Sequence, residues 1–420
     1  MDSKRKFGVL YDKVCREDVL RRAYVDVRLN KGAPGVDEMT FDHIENEIGT
    51  DVFLDGIRSQ LIAKRYKPQA VRRVYIPKAD GKRRPLGIPV IADRVVQAAA
   101  KLVLEPIFEA DFKDFSYGFR PNKNAQQALR EIYKWLNFGC RYVVDADLKS
   151  YFDTIPHDKL LQSVQTRVTD KAVLKLFSMW LKAGVMEDMR VRATTTGTPQ
   201  GGVISPLLAN LYLHWLDRYW ESKTFGKRPH DAHIVRYADD FVILCSKRPE
   251  FYLGEAKKVI DRLDLAFNEQ KTRIVNVNEE PLDFLGHRFA VQPSKRSGDL
   301  KTFYYPSPKA IASVKKRIRD VVRGGQHWDL PELIKERLNP LLRGWGNYFK
   351  TGNSRMHFKR IDNYATYTLT IMLRKKHKKP GKGWRDHPPS WFYDFHKLFK
   401  LNDLVVVGDP NKRYAKQVPS

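Results

Sequence analysis

Two adjacent aspartates, Asp239 and Asp240, interrupt the apolar run "HIVRYADDFVILC" that begins at His233 and ends at Cys245. Neighbouring carboxylates repel each other, and apolar surroundings penalise each charge unless a cation balances it. A second apolar run, "RYVVDADLKSYFDTI", turns polar at two further acids, Asp145 and Asp147. Carboxylates gathered from the ends of two strands would form an all-oxygen site for two Mg²⁺ ions. Phosphoryl transfer uses such a site to activate an attacking hydroxyl and to stabilise a leaving pyrophosphate. An Asp-Asp pair by itself more often caps a turn, so its company has to decide.

The elements that would position these acids can be read from periodicity and turn residues. "HIVRYADDFVILC" reads as strand, tight turn, strand, and the stretch before Asp145 as a buried strand. "VRRVYIPKADGKRRPLGIP" reads as a hairpin around Asp80-Gly81 and carries Arg72, Arg73, Lys78, Lys82, Arg83 and Arg84. "ADRVVQAAAKLVLEPIF" and "QQALREIYKWL" have helical periodicity, and "GTPQGGVISPLLANLYLHWLDRYW" is a Gly/Pro loop leading into a helix with a wide apolar face. "LAFNEQKTRIVNV" and "LDFLGHRFAV" add short strands. After a linker at "QPSKRSGDL", three amphipathic helices with basic outer faces follow, in "SPKAIASVKKRIRDVV", "LPELIKERLNPLLRGWGNYFK" and "MHFKRIDNYATYTLTIMLRKKHKK". Trp345, Tyr348 and Phe349 fall at helical spacing and are expected in a core. The last forty or so residues mix Lys and Arg with Trp384, Trp391, Phe392, Tyr393 and Phe395.

The composition is globular, with 42% hydrophobic and 12% aromatic residues, so a disordered chain is excluded. A length of 420 residues allows two or three domains with real cores. The net charge of +27 asks for a polyanion, with nucleic acid first. Of that excess, +17 falls on residues 301–420, which hold 26 Lys/Arg and 9 Asp/Glu. No apolar run approaches the roughly 18 residues of a membrane-spanning helix, and the N-terminus lacks a signal core, so an intracellular protein is expected. The three cysteines, Cys15, Cys140 and Cys245, have neither pairing nor metal spacing, and His377, His387 and His396 have no cysteine partners, so neither disulfide nor zinc site is expected.

Taken in order, these motifs resemble those of the reverse transcriptases encoded by group II introns. The resemblance runs through "NKGAPGVD", "SYGFRPNKNAQQAL", "YVVDADLKSYFDTI", "GTPQGGVISPLLANLYL", "RYADDF", "LDFLGHRF" and "LNPLLRGWGNYFK". It implies an α+β fold: a right-hand polymerase, with fingers and a palm built on an antiparallel sheet, followed by an α-helical thumb or maturase domain and a short basic C-terminal segment. The boundaries it suggests are 1–70 for an N-terminal extension and the start of the fingers, 71–140 for the fingers, 141–295 for the palm, 300–375 for the thumb and 376–420 for a DNA-binding segment.

Carried over residue by residue, the resemblance makes Asp147, Asp239 and Asp240 the catalytic metal ligands, with Leu148 beside Asp147 as a metal and nucleotide contact. Asp147 is preferred because the family's acid stands five residues before a bulky aromatic, here Phe152. Asp145 is expected to face away, as a capping or solvent-facing acid. Phe152 is expected to exclude the 2′-OH of ribonucleotides. Gln200 should contact the incoming nucleotide, with Gly201 and Gly202 allowing close approach, while Lys78 and Arg84 clamp its triphosphate and Lys271 lies near the carboxylates. Ala238 should leave room at the primer end. Nucleic-acid contacts are expected from Arg72, Arg73, Lys82 and Arg83, and from Lys315, Lys316, Arg343, Lys375 and Lys376 in the C-terminal third.

The implied activity is RNA-directed DNA synthesis with two Mg²⁺ ions and dNTPs. The implied partners are an intron RNA or RNA template and a DNA primer or target, with no membrane. The expected location is the cytoplasm, on the nucleoid when DNA is bound. Many relatives end in a Cys-rich endonuclease domain. This chain is expected to lack it, and to prime at a replication fork or from a pre-existing 3′ end. Two rivals keep the polymerase palm: a domesticated relative working in repair or defence, and an RNA-dependent RNA polymerase, which a bulky Phe152 disfavours. A splicing-only RNA binder is the rival of another class.

Overall fold

The computed structural model describes residues 5–77, 81, 83–187, 190–192, 197, 201–223, 225, 231–294, 298–377 and 387–405. The chain forms two compact units, one of residues 1–128 and 144–274, the other of residues 129–143 and 275–420. The strands used below are β1 (Val71–Pro77), β2 (Arg83–Ile88), β3 (Tyr142–Ala146), β4 (Val185–Glu187), β5 (Arg190–Arg192), β6 (His233–Tyr237), β7 (Asp240–Cys245), β8 (Arg273–Asn276), β9 (Leu282–Phe284), β10 (His287–Pro293) and β11 (Leu300–Pro306).

In the first unit β1 and β2 form the basic hairpin, antiparallel with Tyr75 opposite Pro85, and they extend into a sheet of order β2-β1-β4-β5. A second sheet has the order β6-β7-β3-β8. Its centre is dry because the strands are rich in β-branched and aromatic residues on both faces: Ile234, Val235, Phe241, Val242, Ile243 and Leu244 are all buried. The helix Ser205–Ser222 begins with a proline in its first turn, where the missing amide costs nothing, and it buries most of its length, from Leu207 to Trp220. Burial that nearly encircles a helix marks it as a core element rather than a surface one.

In the second unit β9, β10 and β11 make an antiparallel meander. The helix Pro308–Gly324 starts at Ser307, whose hydroxyl accepts from the Ala310 amide at 3.2 Å. The stretch expected as one helix from "LPELIKERL" onward is instead Leu330–Glu332, a π-helical turn Leu333–Leu338 and the helix Asn339–Phe349. The wide turn leads into Pro340, which has no amide to give an α-helical ladder. The helix Arg355–Lys376 completes the set. Trp345 and Phe349 are buried with Leu342, Phe358 and Ile361, in the core that their spacing suggested.

The compact units divide the chain differently from the expected boundaries, and residues 387–405 are part of the helical core. Phe392, Leu398 and Leu401 are buried in the same cluster as Trp345. Asn339 donates to the Lys397 carbonyl at 2.9 Å and accepts from the Phe399 amide at 2.7 Å, and Asp362 accepts from the amides of Leu401 and Asn402. Gly346 has no side chain because a Cβ there would lie 2.6 Å from Leu401 and Leu404. Among the described residues, no helix is long and apolar enough to cross a membrane.

Candidate active site

Pairing of Tyr237 with Asp240 leaves a two-residue turn, Ala238 and Asp239, between β6 and β7. Such turns need a positive φ to match strand twist, and Ala238 supplies it at +58°. That conformation costs an L-residue about 1–2 kcal/mol and persists only where its surroundings enforce it. Here they do. The Arg236 Nη1 donates to the Ala238 carbonyl at 3.0 Å and to Asn210 Oδ1 at 2.9 Å. Asn210 in turn donates to the Gly118 carbonyl at 2.7 Å. A Cβ on Gly118 would sit 2.3 Å from the Ala238 nitrogen, so the glycine of "SYGFRP" lets that loop rest directly on the turn.

The base of the hairpin is fixed as firmly. Arg236 is fully buried and forms a two-pronged pair with Asp217, Nε to Oδ1 at 2.9 Å and Nη2 to Oδ2. Both side chains are 0% exposed, so water contributes nothing to either charge. Burial pushes the Asp217 carboxyl up, but the Arg236 charge and the His214 hydrogen bond outweigh it, and the group is held below the usual range. The Arg236 backbone also pairs with residues 115–117, donating to the Phe115 carbonyl at 2.9 Å and accepting from the Tyr117 amide at 2.8 Å. Arg120 ties that loop to Glu109 and to the Ser116 carbonyl.

The tip is the electrostatic opposite. Asp240 keeps access to water, yet the protein around it and then Asp239, Asp147 and Asp145, in that order, push its carboxyl up to about 7, with only partial relief from Lys271. Asp147 follows β3. Its backbone is held by Thr272, and its carboxylate takes an ion pair from Lys271 at 3.1 Å. Leu148 is buried and bridges Phe267, so any contribution to a site would come from its backbone. Among the described residues, no three His, Cys, Asp or Glu side chains converge closely enough to hold an ion as they stand. The donors are nevertheless of the kind a divalent cation takes: hard carboxylate oxygens, crowded until one is pushed toward neutrality.

One expectation is corrected. Asp145 does not turn away from this group: its carboxylate lies 3.8 Å from Arg273 and adds to the charge felt by Asp240. Residues two apart on an extended strand share a face, so Asp145 and Asp147 belong to the same side.

Phe152 lies in the short helix Tyr151–Thr154, half-buried and edge-on to Tyr151. Lys78, Lys82 and Gln200 lie outside the described residues, as does the side chain of Arg84. Arg83 is in β2 opposite Pro77. Among the described residues, the Nε atoms of Arg72 and Arg73 on β1 are buried without a hydrogen-bond partner. In the second unit, Lys315 lies over the Tyr364 ring and Arg343 over Phe399, Lys316 and Lys375 are exposed, and Lys376 donates to the Trp328 carbonyl at 3.3 Å.

Residue-type reading passed over Arg236, Asp217, Asn210 and Gly118. The signal available was a matched pair of isolated charges, one in the apolar strand "HIVRY" and one in the apolar helix stretch "LYLHWLDRYW".

Comparison with known proteins identifies the family. A family model described as reverse transcriptase (RNA-dependent DNA polymerase) matches residues 76–289, and one described as the group II intron maturase-specific domain matches residues 311–388. Protein YkfC of Escherichia coli (strain K12) is 36% identical over 65% of this chain and 80% of its own length. The group II intron-encoded protein LtrA of Lactococcus lactis subsp. cremoris is 32% identical over 70% of this chain and 59% of its own. The putative COX1/OXI3 intron 1 protein of Saccharomyces cerevisiae is 28% identical over 86% of this chain and 52% of its own. The chain therefore spans less than two thirds of the latter two relatives.

Proposed function

The chain belongs to the reverse transcriptase family, in the group II intron type that carries a maturase-specific domain, and from that membership we propose that it copies RNA into DNA and binds structured intron RNA to assist splicing and mobility. The observation that carries the polymerase reading is the grouping of Asp147, Asp239 and Asp240 from two strand ends into one field of negative charge. Asp217, whose charge is enclosed with Arg236, is the contrasting case of a structural carboxylate.

When bound, two Mg²⁺ ions held by the three aspartates would activate the primer hydroxyl and stabilise the departing pyrophosphate. The chain's own part is positioning. Ala238, held by Arg236 and backed by Gly118, fixes the direction in which Asp239 and Asp240 project. Lys271 balances Asp147 and stands beside the carboxylates, where a cation favours negatively charged phosphate. Phe152 provides the wall that a ribose 2′-OH would strike. Gln200, Lys78 and Arg84 contact the nucleotide, and Arg72, Arg73, Lys82 and Arg83 contact phosphates of the template or primer. Lys315, Lys316, Arg343, Lys375 and Lys376 lie on the helical unit, where the excess positive charge falls, and suit RNA.

Primer extension by the full chain tests the reading, on RNA and DNA templates and with dNTPs or ribonucleotides. DNA synthesis on the RNA template supports it. Absence of extension alongside tight, salt-sensitive RNA binding would instead identify a splicing-only RNA binder.

A further inference from the structure

The segment that follows Phe152 carries a histidine, His157, that lies outside the carboxylate site. Residues 150–157 run from Ser150, at φ +48°, through the helix Tyr151–Thr154 to His157, the first residue of the helix His157–Gln165. The His157 Nε2 lies 2.7 Å from the carbonyl oxygen of Gly197. A carbonyl only accepts, so Nε2 carries a proton and donates. The Gly197 amide returns a bond to the Ile155 carbonyl at 2.9 Å.

Gly197 has φ +88°, and a Cβ there would lie 2.9 Å from the Phe152 carbonyl and from Asp153 backbone atoms, so no other residue could come this close to the segment bearing Phe152. Gly201, at φ +113°, is pressed against β2 in the same way: its Cβ would lie 2.4 Å from the Gly87 carbonyl. The Tyr151 hydroxyl donates to the Ala209 carbonyl, at 2.6 Å, in the helix that follows the loop. Gly197 and Gly201, on either side of Gln200 in the sequence, thus rest against the segment bearing Phe152 and against the basic hairpin respectively.

We propose that His157 is a positioning residue for the incoming nucleotide. Through Gly197 it locks the nucleotide loop to the Phe152 segment, so that the wall under the sugar and the loop expected to contact the nucleotide keep one spacing. The proposal rests on the polymerase reading. His157 is not placed against the reacting atoms, so its removal changes nucleotide affinity and sugar discrimination rather than the chemical step.

The test is steady-state primer extension on an RNA template with the full chain. His157→Leu keeps bulk and removes the donor: the dNTP KM should rise roughly tenfold, the scale of one lost hydrogen bond. The value of kcat should stay within about twofold, and ribonucleotide incorporation should increase. His157→Gln, whose amide can donate to the same carbonyl, should recover most of the KM. Gly197→Ala leaves the histidine intact but drives the loop off the Phe152 backbone, and it should reproduce the KM rise. An unchanged KM in His157→Leu overturns the proposal. So does a glutamine variant no better than leucine, or a fall in kcat and melting temperature that tracks KM in both His157→Leu and Gly197→Ala. A wild-type chain that extends no primer overturns the polymerase reading instead, and this proposal with it.

Discussion

At the base of the β6–β7 hairpin, Arg236 is fully enclosed, and Asp217 and Asn210 take up its guanidinium. At the tip, four residues further on, Asp240 faces Asp239, Asp147 and Asp145 with Lys271 as partial relief, and its carboxyl is pushed up to about 7. One strand pair therefore holds a charge that is closed off and paired beside charges that are left open and crowded. A buried pair is a weak source of stability, because desolvation offsets most of the attraction. What this pair supplies is geometry, since its third contact is the carbonyl of Ala238, the strained residue that aims the open carboxylates.

The largest effect should come from breaking the closed end. Arg236→Met leaves Asp217 buried without its partner and should cost about 3–5 kcal/mol, seen as a fall in melting temperature or denaturant midpoint. The double variant Arg236→Met/Asp217→Leu removes both charges and should recover most of that stability. It should not recover primer extension, because nothing then holds the Ala238 carbonyl. Full activity in a stable double variant would show that the pair has no part in aiming the tip.

A second break lies in the helical unit, where a polar group is buried neutral. His287 is enclosed by Tyr304, Tyr348 and Phe349, and burial pushes its imidazole down to about 4, only partly countered by the Leu285 carbonyl. Below about pH 6.5 the unfolded chain takes up a proton that the folded chain refuses, so stability falls as pH drops from 6.5 toward 4, by about 3 kcal/mol in all. Asp362 works the other way in part of this window. Burial raises it to about 6, so its contribution worsens as pH rises from about 4 to 6. The comparison that isolates the histidine is His287→Phe against wild type. The variant should gain relative stability on acidification, and parallel pH profiles would contradict the assignment.

The smallest of these effects concerns selectivity at the tip. Phe152→Ala should narrow the preference for dNTPs over ribonucleotides by about tenfold to a hundredfold, with little change in RNA binding. An unchanged preference would remove Phe152 as the sugar wall.

Much of the tip was legible in the sequence. A carboxylate pair inside an apolar run is a physical anomaly, and the apolar stretches on either side of it gave its hairpin. The clamp was harder to see, because Arg236 and Asp217 lie 19 residues apart and each alone looks like a surface charge; only folding makes them partners. Asp145 was misplaced for want of a simple parity check. The C-terminal segment is a different case. Among its aromatics interleaved with Lys and Arg, Phe392 is buried in the helical core together with Leu398 and Leu401, and the groups that dock the segment, Asn339 and Asp362, stand far back in the chain. The glycines at 118, 197 and 201 have meaning only through the backbone each one meets.

The central claim is that the open carboxylates at the hairpin tip do the chemistry while the rest of the molecule positions them. The most direct measurement is RNA-templated primer extension by Asp239→Asn, with RNA affinity and melting temperature measured on the same preparation. Extension should fall by on the order of a thousandfold or more, while RNA affinity stays within a few-fold and stability holds or rises, since a repelling charge has been removed. Extension within tenfold of the wild-type rate would contradict the account.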